Sequence, residues 1–387
     1  NWENPKVLQE LYTMVNWWLE KGLAGFRIDA IINIQKDLDF PSYAPDGADG
    51  LASVVRMVES VNGVGEKLQD LKKNTFAKYD AFTVGEVFNM KREELEAFVG
   101  ENGHFSTMFD FSVNCLSDGP GGWYRNKTIA FDDFRRTVFQ SQMECLDIGF
   151  LANIIENHDE PRGSSRFLPE HAQNEMGMKM LGTVSMLLRG LPFLYQGQEI
   201  GMRDDPKQSI HGFVDKPTFA IYDRLIAEGK TDAQALEQIN RESREHSRTP
   251  MQWDASAEAG FTTGTPWFPV NKNYTELNYE AEEKDPDSLL WFYRKMVAVR
   301  RREDLEETFL YGTLIPEYET VSGVLAYRRK DEKNHILILT TSLADGMALP
   351  FADTIEEVLL NNYDTCEAGE GTIRLQPYQC LVLKVKE

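Results

Sequence analysis

The chain has 387 residues, and its 62 Asp+Glu against 41 Lys+Arg leave a formal net charge of −21. Hydrophobic residues at 42% and aromatics at 11% can build a large core and exclude a globally disordered chain. The acid surplus excludes a nucleic-acid partner, which needs a positive footprint, and no run approaches the roughly 18 apolar residues that cross a bilayer, so no membrane partner is expected.

Asn4-Pro5 supplies an N-cap and a proline at the first helical position. Val7, Leu8, Leu11, Tyr12, Val15, Trp18 and Leu19 recur at helical spacing up to Lys21-Gly22, which predicts a helix. Strands are then predicted over 23–28, 81–87, 105–113, 150–157 and 191–196. Helices are predicted between and beside them over 91–99, 131–146 and 170–189. Such alternation implies βα units and a parallel sheet. From Met202 to about Asp287 the rhythm breaks into a charged excursion with two helical stretches, one opening on the capping-box pattern Thr231-Asp232-Ala233-Gln234. An amphipathic helix over 288–302 follows. From about Glu306 the pattern becomes all-β, with strands over 323–329, 335–341, 355–361 and 373–385. The expected fold is α/β: a TIM-type (β/α)8 barrel, of which about the last five strands are present, plus a C-terminal antiparallel β-sandwich. The expected organisation is a barrel over 1–201 and 288–305, an excursion over 202–287 covering the active-site face, and the sandwich over 306–387.

Four cysteines, Cys115, Cys145, Cys366 and Cys380, are scattered without CxxC spacing, and no signal peptide is visible. Free thiols in a reducing cytoplasm are the simplest reading.

Three acids stand at strand ends: Asp29 after Gly25-Phe26-Arg27-Ile28, Glu86 after Phe82-Thr83-Val84-Gly85, and Asp159 after Ile154-Ile155-Glu156-Asn157-His158. In a βα barrel these positions line the rim where active sites are built, although acids also cap helices there. Arg27 and Asp29 are two apart on a strand and point the same way, so the guanidinium favours an ionised, nucleophilic Asp29. Like-charge repulsion from neighbouring carboxylates would keep Glu86 protonated. Two carboxyls in opposite protonation states are what glycoside hydrolysis requires. Spacing alone leaves Glu199 open as a fourth candidate.

These segments resemble the alpha-amylase superfamily, glycoside hydrolase family 13, and within it the oligo-1,6-glucosidase and alpha-1,4-glucosidase branch. The resemblance rests on Gly25-Phe26-Arg27-Ile28-Asp29-Ala30, Val84-Gly85-Glu86-Val87, Glu156-Asn157-His158-Asp159, the run from Gly190 to Glu199, and Ser247-Arg248-Thr249-Pro250-Met251-Gln252-Trp253-Asp254. It implies Asp29 as nucleophile, Glu86 as acid/base and Asp159, with His158, as holder of the sugar hydroxyls. Arg27 would orient Asp29, Arg248 would reach the bound glucose, and Glu199 would be non-catalytic. In this branch Val after the nucleophile accompanies alpha-1,6 preference and Ala accompanies alpha-1,4, so Ala30 implies a maltose-type alpha-glucosidase. The alternatives are an alpha-1,6-specific oligoglucosidase and a non-catalytic scaffold of the same fold. Sucrose isomerases of the branch carry an Arg-Asp-rich loop after the His-Asp pair. The run from Glu160 to Arg166 does not match it, which favours hydrolysis. Arg162 and Arg166 would either bind substrate or pair with surface acids.

The partner implied is a small molecule, an alpha-gluco-oligosaccharide. No cofactor is expected, and no metal, because the calcium loop of some relatives lies in a part of the barrel not found here. Asp29 belongs on the family's fourth strand, and Asn1-Trp2 resembles the tail of a Gln-Pro-Asp-Leu-Asn motif. The chain is therefore expected to be part of a longer enzyme, or to need a complementary N-terminal segment for activity.

Overall fold

A computed structural model describes residues 1–46, 50–88, 92–116 and 128–386. By contacts the chain divides into two units, 1–111 with 144–152, and 112–143 with 153–387.

The first unit opens with helix α1 (Pro5–Glu20), whose N-cap Asn4 accepts the Lys6 N–H and whose exit is Lys21-Gly22, as the sequence predicts. Strand β1 (Gly25–Ile28) follows. Helices α2 (Val54–Ser60) and α3 (Val64–Asn74) come next, then β2 (Phe82–Gly85), α4 (Leu95–Val99) and β3 (Thr107–Met108). The order β1-β2-β3 is parallel, and Phe109 extends it through a parallel bridge to Ala152. Gly25 is demanded by close approach: a Cβ there would stand 1.8 Å from the Phe82 carbonyl oxygen. Ile31, Leu68, Leu95, Phe98, Phe105 and Leu151 form the core beside the sheet.

Several strands are shorter than expected. The run 105–113 yields only β3, because the chain leaves the ladder at Asp110 and enters α5 (Ser112–Cys115). The run 150–157 yields only β4 (Ala152–Asn153), and 191–196 only β5 (Leu191–Pro192). Buried apolar loop and buried strand share one composition, so periodicity cannot separate them. The helix expected at 91–99 is a single 3-10 turn, Arg92–Glu94, leading into α4; Lys91 lies outside the described residues.

In the second unit, α6 (Phe131–Cys145) starts where predicted. Asn153 pairs with β5, accepting the Phe193 N–H at 2.9 Å. Between them come α7 (Gly163–Phe167) and α8 (Glu175–Leu187). Helix α8 is buried all round from Gly177 to Leu187, which is why its sequence shows little amphipathic contrast. The excursion holds α9 (Lys216–Ala227), α10 (Asp232–Glu242) and α11 (Tyr279–Lys284). The capping box at Thr231 forms, with Thr231 and Gln234 bonding each other's backbone. Helices α9 and α10 enclose their own core of Leu225, Ala235 and Ile239. Helix α12 (Leu289–Arg300) is capped by Ser288.

The C-terminal region begins with a helix, α13 (Glu306–Tyr311), where only strands were expected. The strands are β6 (Thr313–Glu317), β7 (Val324–Lys330), β8 (His335–Thr341), β9 (Met347–Pro350), β10 (Thr354–Asn361), β11 (Glu367–Gly369), β12 (Thr372–Leu375) and β13 (Cys380–Lys386). They form antiparallel sheets of order β10-β13-β8-β7-β6 and β11-β12-β9. The single strand expected at 373–385 is broken between β12 and β13 at Pro377, which can donate no ladder bond. Both faces of β7 are covered. Val324 and Ala326 face the core between the sheets, whereas Leu325 and Tyr327 join the core that includes Met180, Val184 and Phe292. That double burial removes the alternation a half-exposed strand would show.

Candidate functional site

In the first unit, β1 and β2 pair in parallel with Ile28 opposite Gly85, so the next residues, Asp29 and Glu86, emerge side by side at the C-terminal ends of the strands. The Glu86 N–H donates to the Ile28 carbonyl at 3.0 Å, carrying the register one residue further. Arg27 points toward both acids. One guanidinium nitrogen donates to Asp29 and the other to Glu86 Oε1 at 2.6 Å. The second Glu86 oxygen accepts the Ala30 N–H at 2.7 Å. Ala30 reaches that position with φ at +40°, in the left-handed region.

The two acids sit in different media. The Asp29 side chain is 76% exposed, whereas Glu86 is 7% exposed. Burial pushes the Glu86 carboxyl above the usual carboxylate range; the Ala30 N–H and Arg27 oppose it, and the Asp29 charge adds to it. The direction matches the sequence reading, but the leading cause is desolvation rather than like-charge repulsion.

The second unit holds another cluster. Asp159 Oδ1 accepts from Arg248 Nη2 at 2.5 Å and from Arg244 Nη1 at 3.1 Å, and Oδ2 lies 3.1 Å from His158 Nε2. Arg248 Nε also donates to the His158 carbonyl at 2.6 Å, so one guanidinium grips both residues of the pair. The Asp159 side chain is 44% exposed.

Arg162 is a correction. Named from sequence as a substrate contact or a partner for surface acids, it is completely buried and has no surface with which to touch a sugar. Its Nη1 donates to Glu156 Oε2 at 3.0 Å and to the Gln196 carbonyl at 2.9 Å. Arg166 lies 3.5 Å from Glu160 and donates to the Asn114 carbonyl. Glu199 is held above its ordinary pKa by burial, and its Oε2 has no hydrogen-bond partner among the described residues.

Sequence reasoning missed Arg244 and Asp215, which pair at 2.5 Å. The available signal was a second arginine four residues before Arg248, one helical turn away. Among the described residues, no group of three or more His, Cys, Asp or Glu is placed to hold a metal ion, and no helix is long and apolar enough to cross a membrane.

Comparison with known proteins places this arrangement. The alpha amylase catalytic domain model matches residues 1–308. Oligo-1,6-glucosidase of Parageobacillus thermoglucosidasius is 34% identical over 393 residues, spanning 100% of this chain and 69% of that protein. Trehalose-6-phosphate hydrolase of Bacillus subtilis is 31% identical over 398 residues, spanning 100% of this chain and 68% of that protein. Among solved structures, trehalulose synthase MutB of Pseudomonas mesoacidophila MX-45 is similar with a TM-score of 0.91 at 30% identity, covering 100% of this chain and 69% of that one. The parallel βα units are thus those of a TIM-type barrel, followed by an antiparallel C-terminal region, and the enzyme class is glycoside hydrolase. With its acids presented at the ends of β1 and β2, the chain belongs to the alpha-amylase family, among the glucosidases.

Proposed function

We propose that this is a retaining, exo-acting alpha-glucosidase that removes terminal glucose from short alpha-gluco-oligosaccharides. The observation that carries it is the Arg27 fork, which joins an exposed carboxylate to a buried carboxyl whose pKa is raised. In this reading Asp29 attacks the anomeric carbon, and Glu86 protonates the leaving oxygen and later takes a proton from water. His158 and Asp159 hold sugar hydroxyls, Arg248 supports that pair, and Arg27 orients Asp29. Hydrolysis is favoured over isomerisation because the run from Glu160 to Arg166 lacks the isomerase loop pattern and Arg162 is buried. The scattered cysteines support a cytoplasmic location.

For the linkage, the names of the oligo-1,6-glucosidase relatives favour alpha-1,6 bonds over the maltose preference read from sequence. The alpha-1,4 reading keeps one observation, the small methyl of Ala30 beside Asp29. The test is glucose release by the full-length protein from isomaltose and maltose side by side, with the anomer followed by NMR. Faster isomaltose cleavage with alpha-glucose appearing first is expected. Faster maltose cleavage would reverse the linkage, and full activity in Asp29→Asn or Glu86→Gln would sink the assignment.

A further inference from the structure

Asp159 carries two arginines on a single oxygen, and the two are held differently. Arg248, whose backbone N–H donates to the Glu245 carbonyl at 3.1 Å, closes its guanidinium back on the main chain of His158. Arg244 instead turns its Nε to Asp215, in the residue preceding α9, while its Nη1 reaches Asp159. That second carboxylate is well anchored. The Asp215 side chain is 14% exposed. The backbone N–H groups of Val214 and Asp215 donate to the Glu245 carboxylate at 2.9 and 2.7 Å. Glu245 is itself buried and also accepts from Thr218 Oγ1 at 3.4 Å. The neighbours Arg244 and Glu245 therefore grip the start of α9 by its side chain and by its backbone.

We propose that Arg244, tethered by Asp215, is a positioning residue that fixes the rotamer of Asp159 for sugar binding. A carboxylate in a turn beyond β4, nearly half exposed, has free rotamers unless something outside its own segment stops it. Arg248 supplies one such contact and returns its remaining guanidinium bond to the His158 carbonyl, whereas Arg244 ties Asp159 to a second, anchored carboxylate. The guanidinium between Asp159 and Asp215 supplies a fixed external reference, and both acids hold its proton more firmly, Asp215 foremost. Lysine has a single nitrogen and cannot span both carboxylates in this geometry. The inference rests on the reading of Asp159 as a sugar-binding acid.

The test is a double-mutant cycle in the full-length protein with Arg244→Met, Asp159→Asn and the pair. It is read as kcat and KM on p-nitrophenyl alpha-glucoside and as the Kd of 1-deoxynojirimycin, a glucose-shaped iminosugar. Misplacing a group by about 1 Å costs on the order of 100-fold, so Arg244→Met is expected to lower kcat/KM by about 10- to 100-fold, mostly in kcat, and to weaken iminosugar binding. Arg244→Lys is expected to restore only part, and Asp215→Asn to act in the same direction with a smaller loss. In the Asp159→Asn background, Arg244→Met is expected to cost almost nothing further. Equal fold-losses in both backgrounds, or full recovery with lysine, would overturn the proposal and leave Arg244 a plain tie between segments. Wild-type turnover in Asp159→Asn alone would overturn the parent reading, and this one with it.

Discussion

Arg162→Met probes the buried ion pair next to the His158-Asp159 segment. The guanidinium has no exposed surface, lies 5.4 Å from the Tyr195 ring centroid and bonds Glu156 and the Gln196 carbonyl. Its removal leaves the buried Glu156 with the Gly163 N–H at 3.0 Å. Breaking a buried pair from one side costs about 3–5 kcal/mol, against near neutrality when both partners become apolar. In a unit of this size that corresponds to a fall in Tm of roughly 10 °C. The pH dependence is a sharper signature. Burial already holds Glu156 above its ordinary pKa, with Arg162 offsetting part of the rise; without Arg162 it rises further. A carboxyl whose folded pKa exceeds its unfolded value of about 4.3 contributes stability that is complete below that value and lost as pH climbs through the folded one. The variant's deficit is therefore expected to be small near pH 5 and full near pH 8. Urea unfolding followed by tryptophan fluorescence at both pH values measures it, with the m-value checked for constancy. Arg162→Met with Glu156→Gln is expected to recover at least half the loss. A deficit independent of pH, or a double variant no better than the single, would refute the reasoning.

Glu86→Gln is expected to lower turnover by about 10²–10⁴-fold while leaving Tm at pH 8 equal to or above that of the wild type. The sign follows because a raised folded pKa makes stability fall as pH rises, a cost glutamine does not carry; a Tm that drops at pH 8 but not at pH 5 would contradict it. Ala30→Val places a β-branched residue at φ +40° and is expected to cost on the order of 1 kcal/mol in urea unfolding. Because the Ala30 N–H holds the Glu86 pKa down, loosening it should also move the basic limb of kcat/KM to higher pH; an unmoved limb would discount that bond. Arg329→Leu removes a buried guanidinium that donates to the carbonyls of Leu187, Thr308, Phe309 and Gly312, at the ends of α8 and α13. The expected loss is about 3 kcal/mol by calorimetry, and one below about 1 kcal/mol would show those carbonyls satisfied otherwise.

Punctuated elements were legible in the sequence. Asn4-Pro5, Thr231 with Gln234, and Ser288 each mark a helix start by hydrogen-bonding chemistry that does not depend on the rest of the fold. The strands bearing Asp29 and Glu86 were legible because their apolar runs end on an acid, and their parallel register then sets those acids side by side. Helices α2 and α3 were missed; the Ser53 cap was a readable but weak signal, and α3 enters from Gly63 without a side-chain cap. Arg162 was misread because a motif neighbour's position says nothing of its depth. Arg244 was missed because its partners, Asp159 and Asp215, lie 85 and 29 residues away.

The Arg27 fork also places two opposing charges on the Glu86 proton. The Asp29 charge pushes the Glu86 pKa up while the Arg27 guanidinium draws it down. The midpoint of Glu86 therefore reports on both neighbours at once. Neutralising Asp29 would lower that midpoint, and neutralising Arg27 would raise it.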